Sequence, residues 1–512
     1  MRTVSDNYNP FPIVRDVDCR ISFGVIDQNA KNGTITGNDA GFFPRFAQTV
    51  DGKQQIDGKW TSLERNFWVL DGTYTVPPDD MTDSETGWWS SVISGADGSF
   101  TAQPYIQYVF SAAISTLGIT LRFDDKANQY ASDVLLEFLS QSGTVAESHE
   151  FTPTSAVAAL RHYVGDYYGL RITFRATSEP YRRVRLVECD FGLTQSYTRD
   201  TVGSISVKYG LALDMASLPS RELVFTFDNS DKAYNLLNPD GVYQYLQDGQ
   251  TINLKLLIGG EPVDMGDFFF RSADCTQSAI MPTITAYDRI YLLDGVEYNG
   301  GRDAQVTLQA GITELLSGTG ITCAYGDGIA DRPVHMSIPL GAKVREAVRW
   351  LAQAARCVAY IDRDSVLRFE DIALADEECG TITADELYNY SGVSISDTVY
   401  GCKLFCNDDF RAGDDGTPGR HVTYTTGDAD RAVTYSNPCI ADSAGQEVVN
   451  WLFAAAKMRK KYAVQNRCDP AVELGDTIRI ADAFDNFETG VVTGLDIAFG
   501  SSLSAITSAI GV

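Results

Sequence analysis

Apolar and polar residues alternate along most of this chain, and the alternation predicts strands. In TINLKLLIG (Thr251 to Gly259), Ile252, Leu254, Leu256 and Ile258 fall on one face and Thr251, Asn253, Lys255 and Leu257 on the other, the period of a half-buried strand. Similar runs occur at GITLRFDD (Gly118 to Asp125), SDVLLEFLS (Ser132 to Ser140), YGLRITFRA (Tyr168 to Ala176) and YRRVRLVECDFG (Tyr181 to Gly192). They recur at LVFTFDN, VDMGDFFFRSADC and MPTITAYDRIYLLD, and again at VSISDTVYGCKLFC, DTIRIAD and TGVVTGLDIAFG. Turn residues such as NPDG separate them.

Elsewhere the period becomes helical. Val344, Ala347, Val348, Leu351 and Ala355 recur at i, i+3, i+4, i+7 and i+11 and form one apolar stripe. That helix feeds CVAYID, the polar turn Arg363-Asp364-Ser365 and VLRFED, so a helix followed by a two-stranded hairpin is expected. VTLQAGITELLSGTGI predicts another helix, and the segment Gln446 to Tyr462, containing WLFAAAKMRKKY, a further one. The latter runs into NRCDPAVELGDTIRI, where Pro470 fixes its own φ and holds Asp469 extended, ending any helix. Gly475-Asp476 then turns the chain so that Ile478 and Ile480 enter a sheet on one face. The stretch is expected to build a β-barrel edge rather than an active site.

At 512 residues the chain is too long for one core. The texture divides it into an N-terminal arm and first strand (1–30), a β-sandwich (31–198), a β-domain (199–300), a small α/β domain with helix and hairpin (301–386), and a second β-domain with one helix (387–512). The fold class expected is mainly β and multi-domain, in keeping with 44 Gly, 25 Tyr and 25 Phe.

A formal net charge of −27 repels phosphate polymers and argues against tight nucleic-acid binding, although an acidic lining would let DNA slide past. Ten cysteines occur with no CxxC pair, beside four histidines, so no metal or other cofactor is expected. Cys402 and Cys406 read as thiols on one face of a strand. With no secretory signal and no apolar run of 18 residues, neither standard export nor membrane insertion is expected.

No GxSxG, HExxH, P-loop or GxGxxG frame is present, and His149, His162, His335 and His421 read as surface or packing residues, so no catalytic residue is expected and the chain is not read as an enzyme. Asp362 with Asp364, and Asp414 with Asp415, read as solvated turns rather than calcium loops.

Two resemblances add to this. NFWVLDG, ITLRF and an arginine-rich closing strand resemble a galactose-binding-like jelly roll, whose loops at one end often bind sugars. On that resemblance GWWSS offers Trp88 and Trp89 as a carbohydrate platform, with Asp83 and Glu85 nearby for hydroxyls; the alternative is that the tryptophans fill the sandwich core. Further on, DNSDKAYNLLNPDGVYQYLQDGQTINLKLLIG (Asp228 to Gly259), VREAVRWLAQAARCVAYIDRDSVLRF (Val344 to Phe369) and YAVQNRCDPAVELGDTIRIAD (Tyr462 to Asp482) are, in that order, similar to tail baseplate hub proteins of phages and prophages of Gram-positive bacteria.

The hub resemblance implies a virion or tail-like particle made in a bacterial host cytoplasm. Each subunit of a homotrimeric ring would bring two hub-type β-barrels that imitate the tail tube. Implied partners are the tail tube or distal tail protein, the tape-measure protein and tip, spike or receptor-binding subunits, with DNA only passing through the lumen and cell-surface glycan within reach. The competing reading is a peripheral carbohydrate- or receptor-binding baseplate protein; a glycan-degrading enzyme is a third.

Overall fold

The computed structural model describes all residues except 1–3, 6–7, 13–14, 63, 66–70, 78–83, 231, 236–237, 239–240, 276–280, 301–303, 373–378, 391, 409–419 and 512. The chain forms two units, one of residues Met1–Ser22, Ser196–Gly241 and Thr251–Val512, the other of Phe23–Gln195 and Val242–Gln250. Strands dominate both, as the mainly β, multi-domain reading expects.

The second unit holds two antiparallel sheets. One orders Thr34–Gly37, Tyr105–Thr116, Val164–Thr177, Ala131–Leu139 and Val145–Phe151; the other orders Trp88–Trp89, Arg185–Asp190, Ile119–Phe123 and Val157–Leu160. Alternate residues of both sheets meet in one core: Tyr108, Leu136, Phe138, Ile172 and Phe174 from the first, and Trp88, Leu121, Phe123 and Leu186 from the second. Most of NFWVLDG lies outside the described residues.

In the first unit one long sheet runs through Thr251–Ile258, Glu261–Asp274, Thr283–Tyr287, Glu222–Phe227, Val202–Gly210, Phe487–Phe499, Leu503–Gly511, Lys460–Asn466 and Gly392–Ile395. The alternation expected in Thr251–Ile258 is present, with Ile252, Leu254, Leu256 and Ile258 all buried. Ile205 to Gly210 pair with Phe499 to Gly494, so strands from residues 199–300 and from residues 387–512 share one hydrogen-bonded sheet.

Three α-helices accompany these sheets among the described residues: α1 (Leu308–Leu315), α2 (Val344–Ala354) and α3 (Gly445–Lys457). The stripe Val344, Ala347, Val348, Leu351 and Ala355 is buried throughout. Beyond α2, Val358–Ile361 and Val366–Glu370 form the expected hairpin, with Ser365 at φ +61°, and Thr322–Tyr325 adds a parallel third strand. α3 stops short of the sequence expectation. Lys460, Lys461 and Tyr462 belong to a strand paired with Gly511 to Ala509, where the alternating pattern of KKYAVQN buries Tyr462 and Val464.

Past that strand the chain turns at Gly475-Asp476 as expected, while the helix has already ended at Lys457, ahead of Pro470. Gly475 takes φ +84°, and Thr477–Ala481 follows as a strand in which Ile478 and Ile480 are both buried. It pairs antiparallel with Phe487–Phe499 and parallel with Gly380–Ile382. Cys402 and Cys406 are buried on Gly401–Asp408.

Candidate functional site

Of the residues singled out for carbohydrate, Trp88, Trp89 and Glu85 are buried. Trp88 stacks between Phe46 and Phe174 at ring separations of 6.1 and 6.0 Å, and Trp89 meets Phe43 edge-on at 4.8 Å while its Nε1 donates to the Thr86 carbonyl at 2.8 Å. Both are 0% exposed, so their ring faces are taken up by protein. A pyranose ring stacks only on an open aromatic face. Glu85 is also buried, with Lys53 Nζ 3.2 Å from its Oε2, and Asp83 lies outside the described residues.

Around Trp89 the closing strand brings charge into the core. Arg185 pairs with Asp124 at 2.8 Å and with Glu64, all three side chains fully buried, and Arg122 pairs with Asp190 at 2.8 Å. Arg183 donates to the carbonyls of Ser90 and Ser91. Burial outweighs the Arg185 partnership and pushes the Asp124 carboxyl above its ordinary range. Burial, then the neighbouring Asp51, raises Glu85 to about 7; burial together with Asp190 and Asp51 raises Glu188 well above its usual value. Glu188 accepts from the Gly52 amide at 3.1 Å, and its Oε2 is buried with no partner among the described residues. Burial thus favours the protonated, neutral form of these carboxyls.

Sequence reading missed a different cluster. Glu147 and His149, two apart on Val145–Phe151, share a strand face, and His162 follows Val157–Leu160. Both imidazole Nε2 atoms lie 2.7 Å from the same oxygen, Glu147 Oε1. The E-x-H spacing signals the first pair; the third member depends on how two edge strands meet, which a single sequence does not disclose.

The first unit has a cavity of about 690 Å³ lined by Tyr209, Arg221, Tyr360, Arg363, Arg368 and Asp476 among others. Its charges are mostly matched. Arg368 pairs with Asp362, and Tyr360 donates to Glu370 at 2.8 Å. Arg363 donates to the carbonyls of Pro470 and Val472, the latter at 2.8 Å, so the hairpin turn holds the stretch that precedes Leu474-Gly475-Asp476. Asp362 accepts from the amides of Asp364 and Val366, the work of a turn residue, and Asp414 and Asp415 lie outside the described residues. The groups lining the cavity form a polar, structural network with no Ser, Cys or His nucleophile frame among those described.

No protein-family model matches the chain, and no curated protein does. Among solved structures, the tail protein from Neisseria meningitidis MC58 is similar over 62% of this chain and 93% of its own, at 9% identity and a TM-score of 0.46. The prophage tail protein gp18 from Listeria monocytogenes EGD-e is similar over 74% of this chain and 94% of its own, at 9% identity and a TM-score of 0.39. A chitosan-binding module 1 derived from a chitosanase/glucanase of Paenibacillus sp. IK-5 is similar over 33% of this chain and 99% of its own, at 15% identity and a TM-score of 0.21. None of these values is high enough to assign the chain a role.

Proposed function

We propose that the chain is a structural hub of a phage tail baseplate or tail-like particle, closing with copies of itself into a homotrimeric ring that continues the tail tube. The observation that carries this reading is the edge strand Gly392–Ile395. Among the described strands it pairs on one side only, with Lys460–Asn466, and every residue of it is exposed. Val393 is 55% and Ile395 64% exposed, with Tyr388 and Tyr390 exposed just before them. An unpaired edge carrying apolar side chains is an invitation to another strand, which a monomeric protein normally blocks with charge or proline. A second copy of the chain is the occupant a ring requires.

The long sheet supports the same reading, since a hub needs its two tube-like portions to act as one wall. In this reading the tail tube or distal tail protein, the tape-measure protein and the tip subunits meet the ring, and DNA passes through its lumen past an acidic surface. The sandwich contacts host glycan through its loops rather than through the buried ring faces of Trp88 and Trp89.

Light scattering on the purified chain across a concentration series tests the proposal. Three copies, or a multiple of three, are expected for the natural sequence, and Val393→Lys combined with Ile395→Lys should leave a folded monomer. A strict monomer at high concentration would overturn the ring and favour a peripheral glycan-binding role, read out by binding of the chain to cell-wall polysaccharide.

A further inference from the structure

The cluster Glu147, His149 and His162 stands apart from everything the hub reading uses. Its three candidate ligand atoms lie within 4.8 Å of one another. Two imidazoles and one carboxylate form a donor set suited to a borderline divalent transition metal, and the same set holds zinc in open, three-ligand sites. We propose that these residues bind a divalent transition-metal ion of the zinc type, which staples the two sheets of the sandwich at their open edge.

The placement explains why a staple would matter there. Val145–Phe151 is the last strand of the five-stranded sheet, and Val157–Leu160 is the last strand of the four-stranded one. Glu147 and His149 therefore come from one sheet edge, and His162 from the segment just beyond the other. His149 is backed by the buried Phe138 ring, edge-on at 6.1 Å, which fixes one ligand against the core. The His162 side chain is 42% exposed and the Glu147 side chain 40% exposed, so water and metal reach the site.

The distances fit an ion after a small opening. Tetrahedral zinc with bonds of about 2.0–2.1 Å separates its ligand atoms by roughly 3.3 Å. Here each Nε2 lies 2.7 Å from Glu147 Oε1, and the imidazole ring centres are 4.1 Å apart. The N–O separations must widen by roughly half an ångström and the imidazole ring centres by roughly one, and the half-exposed His162 and Glu147 can supply it. Three protein ligands leave a fourth position for water.

The test uses the full chain, stripped of metal with a chelator and titrated with zinc chloride near neutral pH. One zinc per chain is expected, together with a raised thermal midpoint. His149→Ala and His162→Ala should each weaken binding at least roughly tenfold, since two remaining ligands hold zinc poorly, and His421→Ala should leave it unchanged. Cobalt(II) in place of zinc should show visible bands without thiolate charge transfer. Absence of binding, binding unchanged in the His149→Ala, His162→Ala double variant, or a thiolate band that assigns the metal to cysteines would each overturn the proposal. Should the double variant fail to fold, His162→Ala alone, at a half-exposed position, keeps the test decisive.

Discussion

The guanidinium carbon of Arg185 lies 3.8 Å from the centre of the Trp89 ring, while the same group bonds Asp124 and Glu64. One arginine thus bridges two buried carboxyl groups and caps an aromatic face. The three side chains are fully buried, so removing the cation leaves two buried carboxyl groups without the partner that bridges them. Arg185→Met should destabilise the sandwich by about 3–5 kcal/mol. Urea unfolding followed by tryptophan fluorescence reads this out, and an unchanged midpoint would mean that the triad contributes nothing net.

Glu85 makes stability depend on pH in an unusual direction. Its carboxyl is raised from 4.5 to about 7 in the folded chain, first by burial and then by Asp51. Between roughly pH 4.5 and 7 the folded form therefore holds a proton that the unfolded form has lost, and stability falls as pH rises through that window before levelling off. Glu188 is raised too, so it adds to the same slope. Glu85→Gln should flatten the slope without abolishing it and stabilise the chain above neutrality by roughly 1–3 kcal/mol. Thermal midpoints across a pH series check both.

Gly87 is needed where the Trp88–Trp89 strand begins. It takes φ +65°, and a Cβ there would stand 2.5 Å from the Leu186 carbonyl oxygen, closer than real atoms approach. Gly87→Ala combines left-handed strain with displacement of the Leu186–Trp88 pairing. A loss of roughly 2 kcal/mol or more is expected, visible as a lowered thermal midpoint and altered near-ultraviolet tryptophan signals.

Much of the fold was legible because its signals are local. The period of two in Thr251–Ile258 and the stripe from Val344 to Ala355 state which faces are buried, and Gly475 states where the chain turns. The end of α3 was not legible. Ala454 to Lys461 carries good helix formers throughout, and Lys460–Asn466 becomes a strand only because Leu503–Gly511 stands ready to pair with it. The cluster at Glu147 was hidden for a similar reason, since sequence places His162 fifteen residues away and only the meeting of two sheet edges brings it back. Burial of Trp88 and Trp89 follows from partners, Phe46, Phe174 and Phe43, that no spacing rule connects to them.

Arg363 offers the sharpest test of how the hairpin and the Pro470 to Asp476 stretch depend on each other. It is 5% exposed, stands 5.5 Å over the Tyr209 ring, and donates to the carbonyls of Pro470 and Val472, with Glu473 Oε1 3.9 Å from its Nε. Arg363→Ala strands two carbonyls, each worth about 1–3 kcal/mol when left unmatched in the interior. Arg363→Lys keeps the charge, but a single ammonium lacks the planar fork that reaches both acceptors, so it should recover less than half of the loss. Hydrogen exchange locates the effect. The amides of Ala471, Val472 and Gly475, now bonded to Asp469 and Val492, should exchange faster in Arg363→Ala. Acceleration confined to the hairpin, with these three amides unchanged, would show that the segment holds its turn without the arginine.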